Sequence, residues 1–277
     1  MYSIFHFWVH LFRYRSYFNQ VKSLEEFPFD EQMLSCRNKG IFPDMAIKLS
    51  RNGQTFEGGE LIELKDSRSY SVSSFNSTIP SGTKGINTLI SSKNSNIRAQ
   101  MEHAGDDVNS LPIRSVYYLI RGKNKSNIKV CLTHGSFFET IQKEDLINQS
   151  FLQVIEEKTN KVNITMPDDL KRTISSLFTE QEIFSRTRDI EKASVKLRFR
   201  VMTEVKAEGN ILNSKKYPEI LDNSLNFVIP HKLEIDEKYP INKLKRLLTD
   251  DEFSALKIFK IKHHFNGFFL VIQSPIN

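Results

Sequence analysis

Two apolar runs in the first quarter of the chain, "GIFPDMAIKLS" and "GELIELKDS", are separated by the polar tetrapeptide "RNGQ" and a short "TFEG". Turn residues between two strand-like runs predict an antiparallel hairpin. Along its second strand, alternation sends Leu61, Glu63 and Lys65 to one face and Ile62 and Leu64 to the other. The apolar pair is expected to pack against a helix. That leaves a carboxylate and an ammonium side by side on the opposite surface.

The remaining pattern supplies the neighbours of this hairpin. Phe12, Tyr17, Phe18, Val21 and Leu24 recur at mixed three- and four-residue spacing and predict helical structure in residues 1 to about 35, with Pro28 as the stop. Glu25 and Glu26 read as exposed charges near the end of that segment. From Asp66 to Gly85 the chain is rich in Ser, Thr, Asn, Gly and Pro, and polar loops of such length are usually functional. A helix over "TLISSKNSNIRAQMEHAG" follows, then strands "IRSVYYLIRG" and "NIKVCLTHG", then an amphipathic helix "KEDLINQSFLQVIEEK". This order predicts an α/β fold, a mixed central β-sheet flanked by helices. Beyond Asn160, helical "DDLKRTISSLFTEQEIFSR" and "PINKLKRLLTDDEFSALKIFK" flank a strand-like "ASVKLRFRVMTEVK". The chain closes on the apolar strand "GFFLVIQ", so a C-terminal α+β extension is expected.

Composition narrows the classes. The 277 residues suffice for one large domain or two modest ones, and 39% apolar with 26% charged residues is ordinary for a globular protein. A net charge of +6 tilts toward a polyanionic partner. The two cysteines, Cys36 and Cys131, lie far apart, which argues against a disulfide framework or zinc ribbon and suits a reducing cytosol. The opening "MYSIFHFWVHLF" is shorter than the ~20 apolar residues of a spanning helix. It carries two histidines and runs into Arg13 and Arg15, so it reads as a buried helix or strand.

Charge inside the hairpin is the candidate chemistry. Asp44 opens the first strand and faces Glu63 across the ladder. Two acids brought close raise each other's pKa unless a cation lies between them, and hard carboxylate oxygens with a water shell suit Mg²⁺. A lysine beside such an ion neutralises a phosphate oxygen, or orients or deprotonates an attacking water. Acid-x-Lys occurs five times, at Glu63, Glu156, Asp169, Glu204 and Asp236. Glu156 and Asp169 fall in or beside predicted helices, and Asp236 lacks an upstream Pro-Asp at a suitable distance. Glu204 is the rival, with Asp189 upstream. The adjacent His263 and His264 point opposite ways on a strand and make a poor metal site.

The combination of Pro43-Asp44, an intervening stretch of 18 residues and Glu63-Leu64-Lys65 resembles the PD-(D/E)xK nuclease superfamily. The resemblance covers roughly residues 15 to 135. It implies an αβββαβ core, one of whose three strands before the second helix is not evident in the sequence. It also implies that Asp44, Glu63 and Lys65 are catalytic, Asp44 and Glu63 holding Mg²⁺. Within the superfamily a type II restriction endonuclease fits best: a cytoplasmic, prokaryotic homodimer that cuts double-stranded DNA at a short site. Residues 1–160 are then the expected nuclease core and 161–277 a recognition and dimerisation region, unless the two form one domain. Alternatives are a structure-specific or repair nuclease, and a DNA-binding protein without catalysis. The polar loop supplies expected DNA contacts at Arg68, Ser69, Tyr70, Ser71, Ser73, Asn76, Thr78, Ser81 and Lys84. The basic row Lys196, Arg198, Arg200 and Lys206 fits a nucleic-acid backbone and a solvent-facing strand edge equally well.

Overall fold

The computed structural model describes residues 2–35, 42–52, 54–72, 80–86, 96–106, 109–139, 143–179, 186–190, 193–196, 210–231 and 238–276. In chain order the elements are α1 (Ile4–Arg13), α2 (Tyr17–Gln20), a 3₁₀ turn (Leu24–Glu26), β1 (Met33–Ser35), β2 (Met45–Ile47), β3 (Ser50–Asn52), β4 (Thr55–Glu57), β5 (Leu61–Ser67), β6 (Thr83–Gly85) and α3 (Asn96–His103). They continue with β7 (Ile113–Asn124), β8 (Asn127–His134), α4 (Lys143–Lys161), α5 (Asp168–Thr179), β9 (Arg186–Ile190), β10 (Ala193–Lys196), β11 (Ser224–His231), α6 (Lys238–Leu247), α7 (Asp250–Ser254), β12 (Lys257–His263) and β13 (Gly267–Pro275). Among the described residues no helix is long and apolar enough to cross a membrane.

Contacts divide the chain into two units, residues 1–140 with 204–277, and residues 141–203. This differs from a single boundary near residue 160, because the strands after residue 210 extend the sheet begun by the N-terminal half. In the smaller unit α4 and α5 pack together, and β9 pairs antiparallel with β10.

The larger unit is built on a mixed sheet in the order β1-β2-β5-β7-β8-β11-β13-β12, with β6 paired to β7 off this path. β5 and β7 run parallel, as do β8 and β11. Strand alternation splits the core into two layers. Ile62, Tyr117, Leu119, Leu132 and Phe227 meet the buried residues of α1 on one face. Leu61, Val116, Tyr118, Ile120, Cys131 and Val228 share the other with Met101 of α3. The apolar opening is therefore a core helix. Phe7, Trp8 and Leu11 are fully buried, and Trp8 stacks on Phe227 with ring centroids 6.0 Å apart. The Ile4 amide at its first turn donates to Glu60 Oε1 at 3.2 Å, satisfying one orphan donor of the helix start.

Among the strands not legible in the sequence are β1 and β12. β1 is three residues long and pairs antiparallel with β2, Leu34 opposite Ala46. β12 falls within the run read as helical through Lys260. The helix instead ends at Ser254, and "KIFKIKH" has period two, with Ile261 and His263 inward and Lys260 and Lys262 outward. It closes the far edge of the sheet against β13.

Candidate active site

Asp44, Glu63 and Lys65 come together. β2 begins at Met45, opposite Ile62, so the β2–β5 ladder ends before it reaches Leu64. The Leu64 amide therefore has no backbone acceptor on β2, and donates to Asp44 Oδ2 at 2.8 Å. That bond fixes the Asp44 carboxylate beside β5. Ile62 and Leu64 pack into the layer that holds α1, while Glu63 and Lys65 lie on the other face. Lys65 Nζ donates to Glu63 Oε1 at 2.9 Å. The hairpin between the two strands carries a small extension of its own, β3 paired antiparallel with β4.

The electrostatics of the cluster are unsettled. Burial is the largest influence on both acids and pushes Asp44 and Glu63 up from their ordinary values. For Asp44 the Leu64 amide and the Lys65 charge oppose this rise. For Glu63, Lys65 opposes it and the Asp44 charge adds to it. Glu63 is only 7% exposed, and its Oε2 is buried with no hydrogen-bond donor among the described residues. A buried anionic oxygen without a donor is costly.

These residues fit a Mg²⁺ ion. They offer hard oxygens from two carboxylates, one of them orphaned, and Mg²⁺ is commonly held by one or two carboxylates while it keeps several waters. Among the described residues no group of three His, Cys, Asp or Glu converges as a closed metal cage. Glu25, in the 3₁₀ turn, adds a third negative charge within electrostatic reach of Asp44. Glu26 instead accepts a hydrogen bond from the Lys22 amide at 2.9 Å.

The expected DNA contacts scatter. Arg68 and Ser69 are exposed just past β5. Tyr70 is directed into the protein: its ring lies against Gly122 and under Lys129 Nζ at 5.4 Å, and its carbonyl accepts from Asn210 Nδ2 at 2.8 Å. The Ser71 carbonyl accepts from Ser67 Oγ at 2.7 Å, and Ser81 Oγ donates to the Thr83 carbonyl at 2.7 Å. Lys84 Nζ lies 4.5 Å from the centroid of the Phe42 ring, and its charge reaches Glu63. Ser73, Asn76 and Thr78 lie outside the described residues, as do Cys36, Arg198, Arg200, Glu204, Lys206 and Asp236. Glu156 and Asp169 are on the helices α4 and α5 rather than on strands.

Sequence reasoning missed the supports. Tyr118 pairs with Glu63 in the parallel β5–β7 register and is buried, its phenol pushed up by burial and by the Glu63 charge. Three residue pairs further along the register, and on the other face, Arg121 joins Asp66 to the segment that ends α2. Its guanidinium donates to Asp66 Oδ1 at 2.8 Å and Oδ2 at 2.6 Å, and to the carbonyls of Phe18, Val21 and Lys22 at 3.0 to 3.2 Å. Asp66 Oδ2 also accepts from the Leu24 amide at 3.2 Å, which anchors the turn bearing Glu25. An Asp after the acid-x-Lys and an Arg in a strand were visible in the sequence, but only the parallel register brings them together.

Comparison of the chain with protein-family models, with curated proteins and with solved structures finds no match.

Proposed function

We infer that this protein is a Mg²⁺-dependent endonuclease of the type II restriction class, hydrolysing phosphodiester bonds of double-stranded DNA at a specific short sequence. The observation that carries this reading is Asp44, held on the Leu64 amide beside the Glu63–Lys65 pair, with one Glu63 oxygen left without a donor. With the short α2, β3, β4 and β6 set aside, the order α1, β1, β2, β5, α3, β7 supports it, since it follows the αβββαβ order of the family the motif resembles. The same reading makes the protein a homodimer in a prokaryotic cytoplasm, each subunit cutting one strand.

In this mechanism Asp44 and Glu63 would hold the ion, their other oxygens being engaged by the Leu64 amide and Lys65. When bound, Mg²⁺ lowers the pKa of a water and polarises the scissile phosphodiester. Lys65 reaches solvent more than Glu63 does, with side-chain exposures of 28% and 10%, so its ammonium presents charge to an incoming phosphate while Glu63 stays fixed. A bond forms from the water oxygen to phosphorus as the bond to the leaving ester oxygen breaks. The proton lost by the water passes to solvent, and the departing oxygen takes a proton from solvent to leave as a hydroxyl.

Incubation with plasmid and Mg²⁺ tests the reading. Discrete fragments are expected. A smear or cutting confined to junctions would replace it with a structure-specific or repair nuclease. Intact plasmid that the protein nevertheless binds would leave a DNA-binding protein without catalysis.

A further inference from the structure

The long polar segment after β5 returns to the sheet at β6, where Lys84 pairs with Arg114 of β7. Alternation places Lys84 on the same side as Ile86, and Ile86 belongs to the core layer on the Glu63 face. The Lys84 ammonium is half-buried and sits 4.5 Å from the Phe42 ring centroid, two residues before Asp44. The ring holds the ammonium in place by cation–π attraction. Its charge bears on Glu63, as that of Lys65 does. Two lysines from different strands thus bear on Glu63. Lys65 is engaged by Glu63 Oε1 at 2.9 Å.

We propose that Lys84 is the second cation of the site, donating to a non-bridging oxygen of the scissile phosphodiester, while Lys65 remains with Glu63 at the attacking water. This rests on the nuclease reading. It divides between two side chains the two tasks that one lysine would otherwise carry, and it moves Lys84 from a groove contact on a loop to the reacting phosphate. A counter-charge that merely offsets the acids is the plainer role for Lys84, and it predicts no dependence on the phosphate oxygens.

The test compares wild type, Lys84→Gln, Lys84→Arg and Lys65→Gln on plasmid DNA and on the same duplex made with α-thio nucleotides, which carries sulfur at one non-bridging oxygen of each phosphate. Lys84→Gln is expected to slow cleavage of ordinary DNA about a hundredfold, the scale of losing one preorganised donor to a transition-state oxygen. Lys84→Arg should recover most of that rate. The ratio of oxygen to sulfur rates should shift in Lys84→Gln and hold in Lys65→Gln, whose residual rate is measured in single turnover at high enzyme. Duplex affinity in Ca²⁺ should change by less than about threefold, one phosphate contact among many. Wild-type cleavage by Lys84→Gln, failure of Lys84→Arg to improve on it, or an unchanged sulfur ratio would overturn the assignment and leave the nuclease reading intact. A wild-type protein that cuts no DNA would remove that reading, and the role of Lys84 with it.

Discussion

Two clusters of charge sit on the neighbouring strands β5 and β7, and they are built on opposite terms. On the α1 face, all five N–H donors of Arg121 are used, on both oxygens of Asp66 and three carbonyls. Arg114 and Asp106, whose side chains are wholly buried, are similarly closed. Arg114 donates to Asp106 Oδ1 at 3.3 Å and to the Leu111 and Gly59 carbonyls, and Asp106 Oδ2 accepts from the Leu49 amide at 2.9 Å. On the face away from α1, which Arg114 shares, Glu63 keeps a buried oxygen with no donor among the described residues, and Asp44 and Glu63 repel each other. Same sheet, same residue types, different outcome. Where charge serves the fold, every lone pair is matched. Where it is left unmatched beside a second acid, something outside the chain is needed to complete it.

Mutations that break the two clusters should separate along that line. The largest effect is expected at the open cluster and only on chemistry. Asp44→Ala or Lys65→Ala should abolish detectable multiple-turnover cleavage of plasmid in Mg²⁺, while gel-shift binding of duplex DNA in Ca²⁺ persists. Normal cutting by either variant would remove the site. The closed cluster should answer in stability instead. Asp106→Ala strands a buried guanidinium, which costs about 3–5 kcal/mol, measurable as a drop in the denaturant midpoint at constant slope.

The sequence made the two clusters unequally visible, and the reason is geometric. Asp44, Glu63 and Lys65 are gathered by one hairpin, so local pattern sufficed to place them on a common face. Arg121 and Asp66 lie 55 residues apart, joined only because β5 and β7 run parallel through a crossover, and nothing in a single sequence fixes that register. β1 escaped notice because three residues cannot show a period. β12 was read as helix because "ALKIFK" follows a true helix without a Pro or Gly to punctuate it. Tyr70, expected at DNA, is instead packed over Gly122, since a positive φ of 57° at that residue turns the chain back onto the sheet. The helical opening was legible as apolar, but its partner layer was not.

A smaller, signed effect should sharpen the comparison. Folding raises the pKa of Asp44 and Glu63, so the folded state binds protons more readily than the unfolded one there. Their contribution is full below the unfolded pKa and is lost as pH rises through the higher folded value. Metal-free wild type should therefore lose thermal stability between mildly acidic and neutral pH more steeply than Glu63→Gln. Thermal melts at several pH values check this, and parallel curves would contradict it. The smallest effect is expected at the rival acid-x-Lys. Glu204→Ala should leave cleavage essentially at the wild-type rate, and complete loss of activity there would mean the chemistry belongs to the other pair.

The decisive measurement is calorimetric titration of Mn²⁺, a divalent stand-in for Mg²⁺, into wild type and Glu63→Gln at neutral pH in buffers of different ionisation enthalpy. Saturable binding by wild type, accompanied by proton release and lost in Glu63→Gln, is the predicted result. Identical isotherms for the two proteins, or no binding by either, would contradict the claim that the unmatched oxygens of Asp44 and Glu63 exist to hold a cation.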